Sequence, residues 1–261
     1  MLELQNVSFM VGEGGDGREI VRDISLSIPD GRTVVVTGPN GGGKSTLARL
    51  VAGIERPTSG RIILDGEDIT DLSITDRARR GIGFAFQQPV RFKGLRVMDL
   101  LDIASGRDLS TTEACEYLVA VGLCAKDYLE REVNASLSGG ELKRIEIATV
   151  FAKASKVSIF DEPEAGIDLW SFQNLIEAFR KMRSAVKDST VIIISHQERI
   201  LAIADEIVVL REGKVASHGP REDILPSLMG TAIVAPGCPK FIGSAVGAAA
   251  AAAAQKEAAN A

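Results

Sequence analysis

A strand–loop–helix segment over residues 33–52 constrains the fold of this chain more than any other feature. Residues 38–45 fit the phosphate-binding pattern G-x-x-x-x-G-K-[ST]. The apolar run 33–37 before them predicts a buried strand, and residues 45–52 predict a helix. Glycines let backbone N–H groups turn toward a phosphate, and the positive end of the helix faces the same point. The predicted nucleotide-binding residues of this loop are Gly38, Pro39, Asn40, Gly41, Gly42, Gly43, Lys44, Ser45 and Thr46.

The chemistry expected at such a loop needs a cation, a metal ligand and a base. Lys44 would reach the β- and γ-phosphates of a nucleotide, and the Ser45 hydroxyl would bind Mg²⁺. Asp161 ends the apolar run 157–160 and is expected to hold the hydrated Mg²⁺ beside the loop. Glu162 follows it and is expected to accept a proton from the attacking water. The sequence therefore predicts magnesium-dependent hydrolysis of a nucleoside triphosphate.

Composition narrows the class of protein further. The net charge of −5 over 261 residues argues against a nucleic-acid partner. The sequence has no run of 18 apolar residues, so it predicts no membrane span. Its first residues lack the basic and apolar segments of a signal peptide. The three cysteines form no C-x-x-C pair, which indicates thiols in a reducing compartment. We therefore expect a cytoplasmic protein.

The pattern of the chain changes in two places. Helical spacing of apolar residues from about 97 to 134 predicts a helical insert in an otherwise α/β chain. Beyond about residue 228 the pattern weakens, and the seven alanines 248–254 predict either a surface helix or a disordered tail. We therefore expect one large domain over residues 1–225, with a helical subdomain at about 88–154, and an extension over 226–261.

Residues 137–141 read Leu-Ser-Gly-Gly-Glu, in which Ser138 can cap a helix and the glycines can offer N–H groups to an anion. Between the phosphate loop and the acidic pair, this run resembles the signature motif of ABC-type ATPases. The resemblance covers residue 1 to about 225. It implies a P-loop NTPase with a RecA-like core, an antiparallel β-subdomain and a helical subdomain. It also implies an ATP-dependent head-to-tail homodimer in which Ser138, Gly139 and Gly140 complete the ATP site of the second copy.

Other elements of that family follow in order. Gln87 matches the glutamine that senses Mg²⁺ and the γ-phosphate, residues 165–168 match the loop at the dimer seam, and His196 matches the switch histidine. One position departs from the pattern. Many members stack adenine on an aromatic residue near the end of the first strand, where this chain has Val11. We therefore expect aliphatic contacts to adenine and low selectivity for the base.

Three runs resemble one branch of the family, the SufC-type ATPases of iron–sulfur cluster assembly. They are residues 85–90, 138–146 and 195–201. This resemblance implies a SufB- or SufD-like scaffold as partner. The alternatives are the ATP-binding subunit of a membrane importer or exporter, with a permease as partner, and a regulatory module with little turnover. The presence of Lys44 and Glu162 argues against the last.

The partner is expected to dock beside Gln87. Pro89 fixes the chain direction there, so that a shift of Gln87 would pass to residues 90–93. Arg91 and Lys93 are expected to be exposed. The alternating Val90 and Phe92 are either apolar anchors for the partner or ordinary core residues.

Overall fold

The computed structural model describes residues 1–12, 17–134, 136–186 and 188–230. The chain forms a first compact unit, Met1–Leu225, and a second, Pro226–Ala261, of which residues 226–230 are described. The alanine run 248–254 lies outside the described residues. The elements in chain order are β1 (Leu2–Val11), β2 (Arg18–Ile28), β3 (Thr33–Thr37), α1 (Lys44–Ala52), β4 (Ser59–Leu64), β5 (Glu67–Asp68), α2 (Ile74–Arg79), β6 (Ile82–Ala85), α3 (Val97–Ser105), α4 (Thr111–Ala120), α5 (Ala125–Tyr128), α6 (Gly139–Ala152), β7 (Val157–Asp161), α7 (Leu169–Ala185), β8 (Thr190–Ile194), α8 (Glu198–Leu201), β9 (Glu206–Arg211), β10 (Lys214–Pro220) and α9 (Arg221–Gly230).

A four-stranded antiparallel sheet has the order β2-β1-β4-β5. In β1 the side chains of Leu2, Leu4 and Val7 are buried. The strict alternation of a strand breaks between Leu4 and Val7, where the pairing register shifts and Asn6 has φ 51°. The β4–β5 turn has positive φ at Asp65 (54°) and Gly66 (80°), which matches the hairpin expected from that dipeptide. This is the predicted antiparallel β-subdomain.

A six-stranded sheet has the order β10-β9-β3-β8-β7-β6. Strands β9, β3, β8, β7 and β6 run parallel, and β10 pairs antiparallel with β9 at one edge. Every residue of β3, β7 and β8 is buried, as expected for strands covered on both faces. Because the carboxyl ends of parallel strands meet at one edge, the segments after β3, β6, β7 and β8 come together there. Those segments carry the predicted site residues other than Val11 at the end of β1 and residues 138–140 at the start of α6.

The segment 97–134, predicted as a helical insert, contains α3, α4 and α5, and α6 follows it. Helix α6 begins at Gly139 with Ser138 as its N-cap, as the sequence indicated. The sequence analysis did not predict α8 or α9, because a single turn and a helix with an internal Pro226 give weak periodicity. None of the helices in the described ranges is both long enough and apolar enough to cross a membrane.

Arg77 of α2 is fully buried against the far end of α1. Its guanidinium donates to the carbonyl oxygens of Leu50 (2.6 Å) and Val51 (2.8 Å), in the last turn of α1, and of Thr70 (2.7 Å). A cation at this end complements the negative pole of the helix. Gly53 ends α1 with φ 78°, and a Cβ there would lie 2.9 Å from the Arg77 side chain.

Candidate nucleotide-hydrolysis site

The loop between β3 and α1 leaves the N-terminus of the helix open. Gly43 is the N-cap with φ 96°, and no side chain caps the helix. A Cβ at Gly38 (φ 131°) would lie 2.0 Å from the Leu210 carbonyl oxygen, so only glycine fits. Lys44 Nζ donates to the carbonyl oxygens of Gly38 (2.8 Å) and Pro39 (3.0 Å). Burial lowers the pKa of Lys44, while the nearby charges of two carboxylates oppose that shift.

Ser45 and Asp161 meet beside the loop. Ser45 Oγ donates to Asp161 Oδ1 at 2.8 Å, across 116 residues of sequence. Asp161 ends β7 and is 1% exposed. Burial raises the pKa of this carboxyl, and the hydrogen bond from Ser45 opposes the shift. A hydroxyl and a carboxylate oxygen are hard donors that suit Mg²⁺, which takes its other ligands from water and substrate phosphates.

Glu162 and Gln87 are in direct contact. Gln87 Nε2 donates to Glu162 Oε2 at 2.7 Å. Glu162 has φ 46°, unusual for a residue other than glycine, and its backbone N–H donates to the Ile194 carbonyl at 3.0 Å. Strained backbone of this kind clusters at functional sites, and here it falls on the predicted base.

The segment that carries His196 is held by a residue that sequence reasoning missed. Ser195 is buried at the end of β8, and its hydroxyl donates to Glu164 Oε1 at 2.5 Å. The same hydroxyl accepts from the Gln197 backbone N–H at 3.0 Å, so Ser195 fixes the turn around His196. Burial raises the pKa of Glu164. A second acid two residues after Glu162 was the available signal for this contact.

These elements enclose a cavity of 460 Å³. It brings together most of the predicted residues and adds two that the sequence did not indicate, Arg18 and Ile20 of β2. Val11 does not line it; this residue is 53% exposed at the end of β1, opposite Arg18. Its predicted contact with adenine stays a prediction. The cavity is lined by Arg18, Ile20, Asn40, Gly41, Gly42, Gly43, Lys44, Ser45, Thr46, Gln87, Glu162 and His196.

The predicted signature residues do not reach that cavity. Ser138 and Gly139 are exposed at the start of α6. Ser138 Oγ accepts from the Glu141 N–H at 3.2 Å, and Glu141 Oε2 accepts from the Ser138 N–H at 2.7 Å. The Tyr128 hydroxyl and the Ser138 N–H lower the pKa of Glu141 to about 2. A Cβ at Gly140 would lie 2.9 Å from the Gly166 carbonyl, so the helix start packs on the predicted seam loop of the same chain.

Comparison with known proteins assigns the family. A family model described as "ABC transporter" matches residues 21–165. An uncharacterized ABC transporter ATP-binding protein, MJ0035 of Methanocaldococcus jannaschii, is 36% identical over 215 residues, covering 79% of this chain and 85% of that protein. The sulfate/thiosulfate import ATP-binding protein CysA of Synechocystis sp. is 36% identical over 210 residues, covering 78% of this chain. The spermidine/putrescine import ATP-binding protein PotA of Mesoplasma florum is 34% identical over 232 residues, covering 86% of this chain. The chain spans 57% of that CysA and 63% of that PotA.

Solved structures share the fold. The dimeric ATP-binding cassette MJ0796, bound to ADP and phosphate, superposes with a TM-score of 0.75 at 24% identity, over 85% of this chain and 99% of that one. A bacterial Atm1-family ABC exporter with ATP bound gives a TM-score of 0.75 at 29% identity, over 90% of this chain and 42% of that one. The predicted ABC cassette fold is confirmed. Since the family model spans more than half of the chain and MJ0035 is matched over most of its length, this protein belongs to the ABC transporter ATP-binding family and is an ABC-type ATPase.

Proposed function

We propose that this chain hydrolyses Mg-ATP in the 460 Å³ cavity, with Glu162 as general base. The observation that carries the proposal is the contact of Glu162 with Gln87 inside a cavity that Lys44 also lines. Three groups that the family chemistry needs therefore lie together although the sequence separates them.

Each residue has a defined part in the reaction. The N–H groups at the start of α1 and the Lys44 ammonium bind the β- and γ-phosphates and stabilise the charge that develops on them. Glu162 accepts a proton from the water that attacks the γ-phosphorus, and His196 contacts the same phosphate. Ser45, Asp161 and Gln87 would hold Mg²⁺, which supplies charge neutralisation at the phosphates when it is bound. For Glu162 to act, Gln87 must release it, so binding of the nucleotide and freeing of the base go together.

The active form is proposed to be a dimer. Ser138, Gly139 and Gly140 lie outside the cavity of their own chain, which supports the expectation that they complete the site of a second copy. The solved cassette MJ0796 with the same fold is itself a dimer.

Replacement of Glu162 tests the mechanism. Glu162→Gln should still bind ATP, and its amide oxygen should still accept the hydrogen bond from Gln87. It should hydrolyse ATP roughly 10²–10⁴-fold more slowly, because an amide cannot take the proton of water. It should also accumulate an ATP-bound dimer. Stopped-flow nucleotide binding, single-turnover hydrolysis and light scattering measure the three effects. The exposed Glu116→Gln serves as the matched control. Turnover near that of the wild type in Glu162→Gln would rule out this base.

The partner is proposed to be a membrane permease. CysA, PotA and a MetN relative at 34% identity carry names of import subunits for sulfate/thiosulfate, spermidine/putrescine and methionine. These relatives favour the transporter alternative over the SufC-type interpretation. A permease is therefore favoured as the partner over an iron–sulfur scaffold. A SufC-type role with a SufB- or SufD-like scaffold is the second candidate. It rests on the resemblance of the runs 85–90, 138–146 and 195–201 to SufC-type ATPases.

A groove beside Gln87 supports docking of an apolar segment. It has a volume of 210 Å³, and α3, α6 and residues 84–92 line it. Val90 is 45% exposed and Phe92 42% exposed, which favours their interpretation as anchors over that as core residues. Arg91 and Lys93 are exposed, and within the described part of the chain neither forms an ion pair. We propose that the occupant is an apolar segment of the permease that carries carboxylates toward Arg91 and Lys93.

Affinity purification distinguishes the two partners. The wild type should recover a polytopic permease, identified by mass spectrometry, from detergent-solubilised membranes. Arg91→Glu with Lys93→Glu should weaken this recovery and leave intrinsic ATP turnover intact, because neither residue lines the nucleotide cavity. The control pair Lys126→Glu with Lys214→Glu reverses two exposed charges elsewhere. Recovery of a SufB-like protein from the soluble fraction, without a permease, would establish the second candidate instead.

A further inference from the structure

Helix α6 contains an ion pair that no nucleotide-binding motif explains. Lys143 is fully buried, with 1% of its side chain exposed, and Glu146 one turn later has 13% exposed. Lys143 Nζ lies 3.5 Å from Glu146 Oε2. Burying two charges costs several kcal/mol per ion unless good geometry repays it. The presence of a buried ion pair at this position therefore indicates a role other than that of a polar surface pair.

Both side chains bind the backbone of one residue outside the helix. Lys143 Nζ donates to the Phe86 carbonyl oxygen, and Glu146 Oε1 accepts from the Phe86 N–H at 3.0 Å. Lys143 Nζ also lies 3.4 Å from the carbonyl oxygens of Gln87 and Asp161. The pair thus holds the donor and the acceptor of a single peptide residue at once. We call Lys143, Glu146 and Phe86 the Phe86 clamp.

The clamp connects the two halves of the proposed dimeric site. Phe86 directly precedes Gln87, whose amide binds Glu162 in the nucleotide cavity. Lys143 is five residues after Ser138, about 7.5 Å along α6 at 1.5 Å per residue. A rigid helix therefore carries any displacement of Phe86 to Gly139 and Gly140 at its start.

A purely structural pair would be built differently. Glu146 Oε2 is buried, and no group in the described ranges forms a hydrogen bond with it. Burial lowers the pKa of Lys143 and raises that of Glu146, so both charged forms are disfavoured at this place. Such a pair is often no more stable than apolar residues of the same size. Its contacts fix a position more than they add stability.

We propose that Lys143 and Glu146 are positioning residues that couple Gln87 to the signature helix. When nucleotide draws Gln87 into place, the clamp moves α6 with it and presents Ser138, Gly139 and Gly140 to the second copy. Without the clamp the coupling between the two events is weaker. The inference rests on the proposed hydrolysis by a dimer and holds whichever partner docks in the groove.

Three variants test the coupling by separating binding from turnover. Lys143→Met and Glu146→Gln should bind ATP as the wild-type monomer does, because neither residue lines the cavity. Their kcat should fall about tenfold, and their ATP-dependent dimerisation should weaken to match, since coupling energies are commonly of this size. Lys143→Arg keeps the donors and should restore part of kcat. Lys153→Met, at the other end of the same helix, is the control and should behave as the wild type.

The outcomes separate coupling from stability. If Lys143→Met and Glu146→Gln lower only the melting temperature, with kcat and dimerisation unchanged below it, the coupling is wrong and the pair is structural. If kcat and ATP affinity fall together, the clamp supports the cavity itself and the proposal is again overturned. If Glu162→Gln hydrolyses ATP normally, the proposed base fails instead, while a kcat loss in the clamp variants would still support the coupling.

Hydrogen exchange on the unmodified protein gives a test that does not depend on the folding of variants. Addition of a non-hydrolysable ATP analogue should change amide protection in segments 85–88 and 138–142 with the same dependence on analogue concentration. Protection that changes in the first segment and not in the second would overturn the coupling. A monomeric protein at low concentration separates this effect from burial in a dimer.

Discussion

Glycines directly precede helix α1 and form the first residues of helix α6, yet the two N-termini are capped in opposite ways. At α1 the cap is Gly43, no side chain bonds to the first turn, and that turn has no acidic residue. At α6 the Ser138 hydroxyl and the Glu141 carboxylate form a complete capping box. One helix start leaves its backbone donors for a ligand, and the other satisfies part of its own.

The difference suggests a division of labour. Phosphate can bind at α1 through open N–H groups and an adjacent ammonium. At α6 the box already uses the N–H groups of Ser138 and Glu141, and a carboxylate in the first turn opposes an anion. The remaining donors are those of Gly139 and Gly140. Helix α4 carries the same box from Ser110 and Glu113 but no glycines, so an ordinary capped helix is available inside the molecule for comparison.

Lys44→Met should have the largest effect on this comparison. Loss of charged hydrogen bonds to phosphate, at about 1.5–3 kcal/mol, should weaken ATP binding by roughly 10- to 100-fold. Titration of the monomer with fluorescent ATP measures it. Lys93→Met removes an exposed lysine outside the cavity and should leave ATP affinity unchanged. Equal ATP affinity in the wild type and Lys44→Met would contradict the proposal that phosphate binds at the start of α1 and not of α6.

Ser138→Ala and Ser110→Ala should sharpen the comparison at a smaller scale. Each removes an N-cap hydroxyl and should lower the free energy of unfolding by about 1 kcal/mol, as measured in urea. Neither should change ATP binding by the monomer. Only Ser138→Ala should also slow hydrolysis at concentrations where the dimer forms. A similar loss of turnover in Ser110→Ala would show that the effect comes from stability alone.

The smallest expected effect is the pH dependence of the α6 cap. The Tyr128 hydroxyl and Ser138 lower the pKa of Glu141 from an ordinary value of 4.5 to about 2. The ionised carboxylate therefore stabilises the folded state above pH about 4.5, and this contribution is lost as the pH falls toward 2. Urea unfolding between pH 5 and pH 3 should show a weaker pH dependence in Glu141→Gln than in the wild type. Identical slopes, with Glu116→Gln as control, would contradict the assignment.

Sequence reasoning located the local elements well because each has its own signal. The loop before α1, the Ser138 cap and the acidic end of β7 are all defined by residues that are neighbours in the chain. The contact of Gln87 with Glu162 spans 75 residues and was not predicted; the family resemblance assigned Gln87 only to Mg²⁺ and the γ-phosphate. Local patterns carry no information about such separations.

The missed features are those that need two distant segments at once. Arg18 and Ile20 enter the cavity because β2 lies beside the loop, which no period within β2 reveals. In the sequence, Lys143 and Glu146 match the pattern of an ordinary polar helix face, and nothing there indicates their contacts with Phe86. Val11 was assigned from a position in the family pattern alone, and the described cavity does not include it.

The guanidinium of Arg77 has a consequence for how variants of this protein should be interpreted. It binds the carbonyl end of α1, whose opposite end is proposed to face the phosphates, about 13.5 Å away for nine residues at 1.5 Å each. A lysine has three donors on one nitrogen and cannot reach carbonyls in three directions as the planar guanidinium does. A genetic screen for nucleotide-binding defects should therefore return substitutions at Arg77, a residue that touches no nucleotide and belongs to no motif.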